Sequence, residues 1–310
     1  MSGYTYHVPV LLDETIKALD IKPECVYVDC TVGGGGHSFE IASRLTTGRL
    51  IAIDQDQNAI EAAGKRLAPY SERVTIVRDN FCNVSSVLES LGIEKIHGAL
   101  IDLGISSHHV DDAERGFSYM KDAPLDMRMD TRSSLTAWHV INQYSKDDLF
   151  RILREYGEET RFTSRIVFEI LKQREVAPIN TTGQLSQLLH GIYPKHIKTG
   201  HPAKKTFQAV RIEVNRELDV IDPALRGLVS AMKAGGRLAV ITFHSLEDRL
   251  VKIAFADMAK NCICPSDFPA CVCDKRASVK LVGKSIVPTE EEMQNNSRSI
   301  SARLRVVEKL

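Results

Sequence analysis

Residues 26–38 read VYVDCTVGGGGHS, and this stretch decides the fold. An apolar run that ends in Asp29 is typical of a buried β-strand, and residues 39–45 after the glycines have a helical pattern. The four glycines, Gly33 to Gly36, allow a tight turn and the close approach of a ligand, because no Cβ intervenes. A strand, a glycine turn and a helix in this order predict the start of a nucleotide-type α/β fold.

A second apolar run, residues 49–53, ends in Asp54. An acid at the tip of the second strand is placed to accept hydrogen bonds from ribose hydroxyls. The glycines fit a dinucleotide fingerprint poorly, because the last position of G-x-G-x-x-G falls on Ser38 or Phe39. S-adenosylmethionine carries no phosphate and tolerates other glycine spacings, so we favour it over a dinucleotide. A glycine-rich turn with a purely structural role is the third alternative.

The chain has 310 residues, a formal net charge of zero and 43% hydrophobic residues, which is ordinary for a globular protein. Neither an apolar run of membrane-spanning length nor a signal-peptide pattern is evident, so we expect a cytoplasmic protein that contacts no membrane. Without an overall basic excess, nucleic-acid binding requires a local patch. Residues 195–216 offer one, although a solvated surface is an equally open interpretation. Its basic residues are Lys195, Lys198, Lys204, Lys205, Arg211 and Arg216.

From residue 26 to about residue 103, predicted strands and helices alternate, which indicates a parallel sheet with helices on both faces. Such sheets bind ligands outside the carboxyl ends of their strands, and four acids lie at such ends: Asp29, Asp54, Asp79 and Asp102. The alternation gives way to helical patterns over residues 111–212. We therefore predict an α/β core formed by residues 1–110 and 213–310, with a helical domain inserted at 111–212 that shapes a substrate cleft.

Residues 102–107, DLGISS, provide the acid but neither the prolines nor the aromatic residue of the usual amino-methyltransferase loop. Longer motifs are more specific. They are HVPVLLDE at 7–14, DDAERGFSY at 111–119, PLDMRMD at 124–130, TFQAVRIEVN at 206–215 and ITFHSLEDR at 241–249. With the glycine loop, these motifs closely resemble the bacterial small-subunit ribosomal RNA cytosine-N4 methyltransferase family, the MraW type, over about residues 5–308.

The resemblance implies methyl transfer from S-adenosylmethionine to N4 of a cytidine in the decoding region of 16S rRNA, either as naked rRNA or within the small ribosomal subunit. It also implies a Rossmann-like methyltransferase core with an inserted helical domain for substrate recognition. His109 stands where the family has a glutamine, and His108 where it has a proline. The family's cofactor contacts fall on Gly35, Gly36, His37, Asp54 at the ribose, Phe81 beside the adenine, Asp102 beside the methionine end, and His109.

The cytosine N4 amine is a weak nucleophile, because its lone pair is delocalised into the ring. Catalysis then consists largely of holding N4 in line with the methyl group, with an acceptor for the amine hydrogens. Asp102 is the candidate acceptor, and the alternative is that it caps the following turn. The base has to leave its stack to reach the methyl group. The candidate substrate contacts are Arg128, Lys204, Lys205 and Arg211 at phosphates, and His244 and Asp248 as orienting groups with an equally open structural role.

Seven cysteines are present, and three are expected to pack as small hydrophobic residues: Cys25, Cys30 and Cys82. The other four form two C-x-C pairs, Cys262 with Cys264 and Cys271 with Cys273. Four thiolates suit tetrahedral zinc, but the usual pair is C-x-x-C. We favour reduced thiols over a structural zinc site, and zinc over disulfides, since the cytosol is reducing.

Two other functions stay open at this point. One is a methyltransferase with the same core that acts on DNA or protein. The family-specific motifs in residues 102–119 disfavour this alternative. The other is a non-catalytic RNA-binding factor for ribosome assembly, which the intact glycine loop with Asp54 and Asp102 disfavours. The sequence does not specify an oligomeric state.

Overall fold

A computed structural model describes residues 9–106, 109, 111–194, 200–265 and 272–310. Four residues named above lie outside these ranges: His108, Lys195, Lys198 and Cys271. The chain divides into two compact units. We call residues 1–104 together with 218–310 the core unit, and residues 105–217 the helical unit. The insertion predicted at residues 111–212 falls inside the helical unit.

The core unit is built on one seven-stranded sheet. Its strands are β1 (Val26–Asp29), β2 (Arg49–Asp54), β3 (Val74–Arg78), β4 (Ile96–Asp102), β5 (Met232–Thr242), β6 (Val279–Leu281) and β7 (Arg303–Lys309). They lie in the order β3-β2-β1-β4-β5-β7-β6. The first five strands are parallel, and β7 runs antiparallel to both β5 and β6. The predicted α/β fold with a Rossmann-like parallel sheet is confirmed.

Helices flank the sheet and form the helical unit. In chain order they are α1 (Leu12–Leu19), α2 (Gly36–Arg44), α3 (Gln57–Leu67), α4 (Val84–Ser90), α5 (Ala137–Gln143), α6 (Lys146–Glu155), α7 (Thr163–Val176), α8 (Thr182–Ile192), α9 (Lys204–Asn215), α10 (Ile221–Ala231), α11 (Ser245–Met258) and α12 (Glu290–Asn295). In the described part of the chain, no helix combines the length and the apolar composition that crossing a bilayer requires.

Both faces of the sheet are covered by helices of the core unit. One face packs against α4, α10 and α11, whose Leu88, Leu228 and Phe255 are buried. The other face packs against α1 and α2, with Leu19 and Ile41 buried. Full burial of an apolar side chain of this size contributes about 1.5–3 kcal/mol. The sheet is therefore held rigidly between two apolar layers, and its carboxyl edge stays available for polar residues.

The helical unit has an apolar core of its own. Ile152 of α6, Ile166 of α7, Leu189 of α8 and Val210 of α9 are completely buried in it. Thr181 caps α8, because its side chain accepts a hydrogen bond from the backbone N–H of Gln184 at 3.2 Å.

Candidate active site

Three acids end parallel strands at the carboxyl edge of the sheet. Asp29 ends β1, Asp54 ends β2 and Asp102 ends β4. Strands β1 and β4 are hydrogen-bonded neighbours that are not consecutive in the chain. A switch point of this kind opens a crevice at the strand ends, where ligands bind in doubly wound folds. Asp29 and Asp102 therefore flank the predicted ligand crevice.

The glycine loop connects β1 to α2. Gly33 and Gly35 have φ angles of 49° and 76°, a left-handed conformation that side chains disfavour. A Cβ at Gly36 would clash with the ring of Pro9, so the first residue of α2 has no room for a side chain. Around Gly34, no atom of the described residues lies within 4 Å of such a Cβ. The turn thus requires three glycines, and the fourth borders open space.

Asp29 holds the glycine loop in place. Its Oδ1 accepts a hydrogen bond from the backbone N–H of Thr31 at 3.2 Å, and its Oδ2 accepts one from the Ser38 hydroxyl at 2.7 Å. The side chain is almost completely buried, and this burial raises the pKa of Asp29 to about 6. Because one oxygen binds the loop and the other binds the start of α2, Asp29 has a structural role beside the crevice.

Asp54 also supports the loop, which the sequence did not reveal. Its Oδ2 accepts a hydrogen bond from the backbone N–H of Gly33 at 2.9 Å, and its Oδ1 accepts one from the backbone N–H of Asp56 at 2.9 Å. A carboxylate oxygen can accept more than one hydrogen bond, so these contacts leave room for ribose hydroxyls. Asp54 therefore fixes the glycine loop, and its contact with a ribose stays a prediction.

The turn after β3 presents Phe81. Asp79 Oδ1 accepts hydrogen bonds from the backbone N–H of Asn80 at 2.7 Å and from the amide nitrogen of Asn83 at 2.8 Å. Asp79 is therefore a turn-forming residue. Phe81 is half-buried and packs against the apolar cluster of the core unit. An aromatic ring fixed at this edge suits the flat face of an adenine, as the resemblance implies.

Asp102 and His37 lie side by side, with His37 Nδ1 3.7 Å from Asp102 Oδ2. The backbone N–H of Asp102 donates to Thr31 Oγ1 at 2.6 Å, which fixes this strand end beside the glycine loop. Asp102 Oδ1 and His37 Nε2 are both buried, and neither finds a hydrogen-bond partner among the described residues. Buried polar atoms of this kind are uncommon, and a polar ligand at this point would satisfy them.

The charges around this pair are unusual. Burial raises the pKa of Asp102 well above its usual range, and the carboxylates of Asp29 and Glu247 raise it further. Solvent limits this rise, because 26% of the Asp102 side chain is exposed. Burial lowers the pKa of His37 to about 4, so its imidazole is neutral at neutral pH. A neutral imidazole therefore stands beside a carboxyl group whose ionised form would be stabilised by a cation.

The two orienting residues predicted at the start of α11 differ in their partners. Glu247 is buried, and its Oε2 accepts hydrogen bonds from the backbone N–H groups of Phe243 and His244 at 2.8 and 3.2 Å. His244 Nε2 lies 3.1 Å from Glu247 Oε1, but both ring nitrogens of His244 are buried without a hydrogen-bond partner among the described residues, so His244 stays a candidate for contact with a ligand. Arg305 donates two hydrogen bonds to Asp248, at 2.7 and 3.0 Å, which lowers the pKa of Asp248. These contacts favour a structural role for Asp248.

Two arginines of the helical unit that were predicted to contact phosphates are hydrogen-bonded to groups of the protein. Arg128 uses four of its five N–H donors within its own turn, on both carboxylate oxygens of Asp126 and on two backbone carbonyls. Arg211 donates two hydrogen bonds to the buried carboxylate of Glu217, at 2.8 and 2.9 Å. Both arginines thus stabilise the unit, and we do not retain them as RNA contacts.

The lysines at the start of α9 differ from these arginines. Lys205 Nζ donates to the backbone carbonyl of Glu158 at 2.9 Å and remains half-exposed. Lys204 is exposed, and it forms no ion pair with any residue that the structure describes. Lys204 is therefore the strongest remaining candidate for a phosphate contact.

His109 is buried, accepts a hydrogen bond from the backbone N–H of Ser106 at 3.2 Å and stacks on Phe117.

Three supporting residues were missed by the sequence analysis: Thr31, Ser38 and Glu247. Thr31 and Ser38 lie in residues 26–38, the stretch that also contains Asp29, so their closeness to Asp29 in the chain could have suggested hydrogen bonds with it. Glu247 lies three residues after the helix-capping position His244, a spacing that predicts a cap. Nothing in the sequence indicated that its carboxylate would also raise the pKa of Asp102.

The strand order, the glycine turn and the acids at the strand ends define a Rossmann-like α/β fold with a ligand crevice at its carboxyl edge. The sequence profile of the MraW methylase family matches residues 4–310, which is nearly the whole chain. This chain belongs to the MraW methylase family.

Curated relatives agree with this assignment. The chain is 52% identical to the ribosomal RNA small subunit methyltransferase H of Clostridium botulinum (strain Kyoto / Type A2), over 98% of this chain and 99% of that protein. It is 52% identical to the protein of the same name from Clostridioides difficile, over 98% and 99%. It is 51% identical to that from Symbiobacterium thermophilum, over 98% and 97%.

Proposed function

We propose that this protein transfers a methyl group from S-adenosylmethionine to N4 of a cytidine in the 16S rRNA of the small ribosomal subunit. Family membership and the names of the relatives support the reaction class and the RNA. One observation supports the chemistry most directly. At the switch point of the sheet, the buried Oδ1 of Asp102 lacks a hydrogen-bond partner among the described residues. An amine hydrogen is the kind of donor that this oxygen requires.

The residues at the carboxyl edge suit S-adenosylmethionine, which supplies the methyl group when bound. The left-handed turn at Gly33 and Gly35 lets the backbone approach a ligand closely. Asp54 ends β2 with a carboxylate, the acceptor type that ribose hydroxyls need, and Phe81 offers an aromatic face. The raised pKa of Asp102 indicates an environment in which a sulfonium cation would be favourable.

Asp102 has two tasks in this proposal. As a carboxylate it accepts a hydrogen bond from the N4 amine and holds the nitrogen in line with the methyl group. As N4 forms its new bond to carbon it loses a proton, and Asp102 is placed to receive it. The raised pKa makes Asp102 a stronger base than an ordinary carboxylate, which brings it closer to the range suited to general base catalysis.

Neutral His37 complements this arrangement. Because its pKa is about 4, the imidazole does not compete with the substrate by forming a charged pair with Asp102. Its Nε2, which has no hydrogen-bond partner among the residues that the structure describes, provides a further polar atom toward a ligand. We assign His37 to positioning the cofactor, in agreement with the resemblance found in the sequence.

The ribose assignment is tested with S-adenosylhomocysteine and its 2′-deoxy and 3′-deoxy analogues. The intact protein is expected to bind the analogue without the contacted hydroxyl about 10- to 100-fold more weakly, which corresponds to about 1.5–3 kcal/mol for a hydrogen bond to a charged group. Since Asp54 also holds Gly33, simple weakening of binding in Asp54→Asn is not diagnostic. The diagnostic result is a loss of discrimination between the parent and the analogue in the variant, measured by calorimetry. Retained discrimination would refute the contact.

The reaction is tested by transfer of tritium-labelled methyl groups. The acceptors are small ribosomal subunits and naked 16S rRNA, both from a strain that lacks this protein, and the labelled product is digested to nucleosides. We expect the label in N4-methylcytidine. Label in another nucleoside or in a ribosomal protein would assign a different acceptor. Cofactor binding without transfer to either substrate would point to a methyl acceptor outside the small subunit, and absence of S-adenosylmethionine binding would favour the non-catalytic assembly factor.

A further inference from the structure

The connection between α11 and β6, residues 259–278, has little apolar support. None of its described residues belongs to a helix or a strand. Ile263 and Val272 are 60% and 69% exposed, so the apolar side chains nearest the cysteines do not form a core. Loops of this length without secondary structure are uncommon, and they need another source of order. Three cysteines lie in its described part: Cys262, Cys264 and Cys273.

The three sulfur atoms converge on one point. Cys262 Sγ and Cys273 Sγ are 3.8 Å apart, and the Sγ atoms of all three cysteines lie within 4.8 Å of one another. A tetrahedral zinc site with Zn–S bonds of about 2.3 Å places its sulfurs about 3.8 Å apart. A disulfide needs an S–S distance of about 2.05 Å, and the three residues are present as thiols. The distance between Cys262 Sγ and Cys273 Sγ therefore matches shared coordination of a metal ion, and Cys264 Sγ lies within 4.8 Å of both.

Each sulfur also receives a backbone hydrogen bond. The N–H of Ile263 donates to Cys273 Sγ at 3.4 Å, the N–H of Cys264 to Cys262 Sγ at 3.3 Å, and the N–H of Val272 to Cys264 Sγ at 3.4 Å. Donors of this kind stabilise negative charge on sulfur, as outer hydrogen bonds do around metal-bound thiolates. Three thiols that merely packed together would have no need for such an arrangement.

The base of the connection is closed independently of the cysteines. The backbone N–H of Ser278 donates to the carbonyl of Met258 at 2.9 Å, and the backbone N–H of Ala277 donates to Asn261 Oδ1 at 3.0 Å. Lys275 forms an ion pair with Asp257 at 2.6 Å. With its ends fixed, the connection has lost part of its conformational entropy before any metal binds.

We propose that Cys262, Cys264 and Cys273 bind a zinc ion that orders this connection. Soft thiolate ligands select zinc over the hard cations, and a site with three protein sulfurs takes one further ligand to complete the tetrahedron. Cys271, the other cysteine of the segment, lies outside the described residues, and the proposal stands on the three sulfurs alone. The metal site has no part in the methyl-transfer mechanism. It reverses the preference for unmetallated thiols that the C-x-C spacing suggested.

The first test measures metal content in the full-length protein purified without chelator. We expect one zinc ion per chain by elemental analysis. Replacement with Co²⁺ should give thiolate-to-cobalt charge-transfer bands and the visible bands of tetrahedral cobalt. Cys264→Ser should lose most of the bound metal and reduce the charge-transfer absorption, whereas Cys25→Ser, which changes a cysteine of another region, should retain both. Substoichiometric zinc together with octahedral cobalt spectra would overturn the proposal.

The second test follows order in the connection. Hydrogen exchange of peptides that cover residues 259–278 is compared with and without a zinc chelator, with β1 and β4 as internal references. We expect exchange in the connection to become at least about tenfold faster on chelation, while the reference strands do not change. A chelator that leaves exchange in the connection unchanged would refute the ordering role. Both tests are independent of methyl-transfer activity.

Discussion

Charged side chains at the carboxyl edge of the core unit and in the helical unit differ in their hydrogen-bond partners. At the edge, Asp102 has a buried oxygen without a partner among the described residues, and other carboxylates raise its pKa. In the helical unit, Arg128 and Arg211 donate to carboxylates in well-formed pairs. Residue type suggested a ligand contact in each case. Their hydrogen bonds distinguish Asp102 from the two arginines, because a side chain whose partners are in place already has a structural role.

The physical basis of this contrast is the cost of burying polar groups. A buried carboxylate without a partner destabilises the fold, whereas a paired one is compensated by its hydrogen bonds. A protein that retains the unpaired group has a use for it with a ligand bound. The contrast predicts that changes at Asp102 affect reaction more than stability, and that changes at the paired residues do the reverse.

The largest expected effect is that of Asp102→Asn on reaction. Loss of the acceptor should lower the single-turnover rate of methyl transfer by about 10²- to 10⁴-fold, the range for a general base. The free energy of unfolding in urea should stay within about 1 kcal/mol or rise, because a buried charge that is repelled by Asp29 and Glu247 has been removed.

Asp248→Asn is the matched control, since Asp248 is an aspartate of the same unit whose carboxylate is paired with Arg305. It should lose about 1.5–3 kcal/mol of unfolding free energy. Its methyl-transfer rate should fall less than tenfold under conditions where the variant is folded. If the two variants showed the same pattern, the distinction between paired and unpaired acids would fail.

The next largest effect concerns Arg211. Arg211→Met keeps much of the side-chain volume but leaves Glu217 buried without its partner, so we expect a loss of about 3–5 kcal/mol in unfolding free energy. The double variant Arg211→Met with Glu217→Gln should recover part of this loss, which urea unfolding measures. A single variant as stable as the parent would mean that Arg211 is available to RNA after all.

A smaller effect is the pH dependence of cofactor binding. The pKa of Asp102 is raised in the free protein, and a bound sulfonium cation would lower it. S-adenosylmethionine should therefore bind more tightly as pH rises from about 5 to 7, by up to tenfold per pH unit, whereas neutral-sulfur S-adenosylhomocysteine should show a weaker trend. Calorimetry of both ligands gives the ratio directly.

Two other groups near Asp102 bear on this measurement. His37, with a pKa of about 4, stays neutral over most of this range. Asp29 has a pKa of about 6 and titrates within the range, but its oxygens bind Thr31 and Ser38. The pH dependence of S-adenosylmethionine binding that remains in Asp102→Asn measures the contribution of Asp29. An equal slope in the parent and in the variant would remove Asp102 from the explanation.

Much of the core was predictable because its pattern is local. The strands are apolar runs that end in acids, so the edge that carries Asp29, Asp54 and Asp102 followed from the sequence. Helix α10 did not follow, because it contains Pro223 and Gly227, which lower helix propensity. Proline is tolerated in the first turn. Gly227 reflects packing, since a Cβ there would lie 2.9 Å from the Ser85 hydroxyl of the neighbouring segment.

Two pairings that decide the roles of acids join residues far apart in the chain. Thr31 and Asp102 are 71 positions apart, and their hydrogen bond fixes the key carboxylate. Asp248 and Arg305 are 57 positions apart. No local pattern reveals which acid is paired and which is not, although this decides their roles. A resemblance can name the residues of a site, but the distribution of partners among them appears only in the folded chain.

The smallest expected effect tests Lys204, the basic residue at the start of α9 without an ion pair in the described part of the chain. Lys204→Glu should weaken binding to 16S rRNA a few-fold and reduce the slope of log K against log salt by about 1, the contribution of one phosphate contact. Lys172→Glu, the same charge change at an exposed position on α7, should leave the slope unchanged. Equal slopes for the two variants would assign Lys204 to the solvated surface. A reduced slope for Lys204→Glu alone would place an RNA backbone at the start of α9, because only a localised phosphate contact distinguishes two exposed lysines of equal charge.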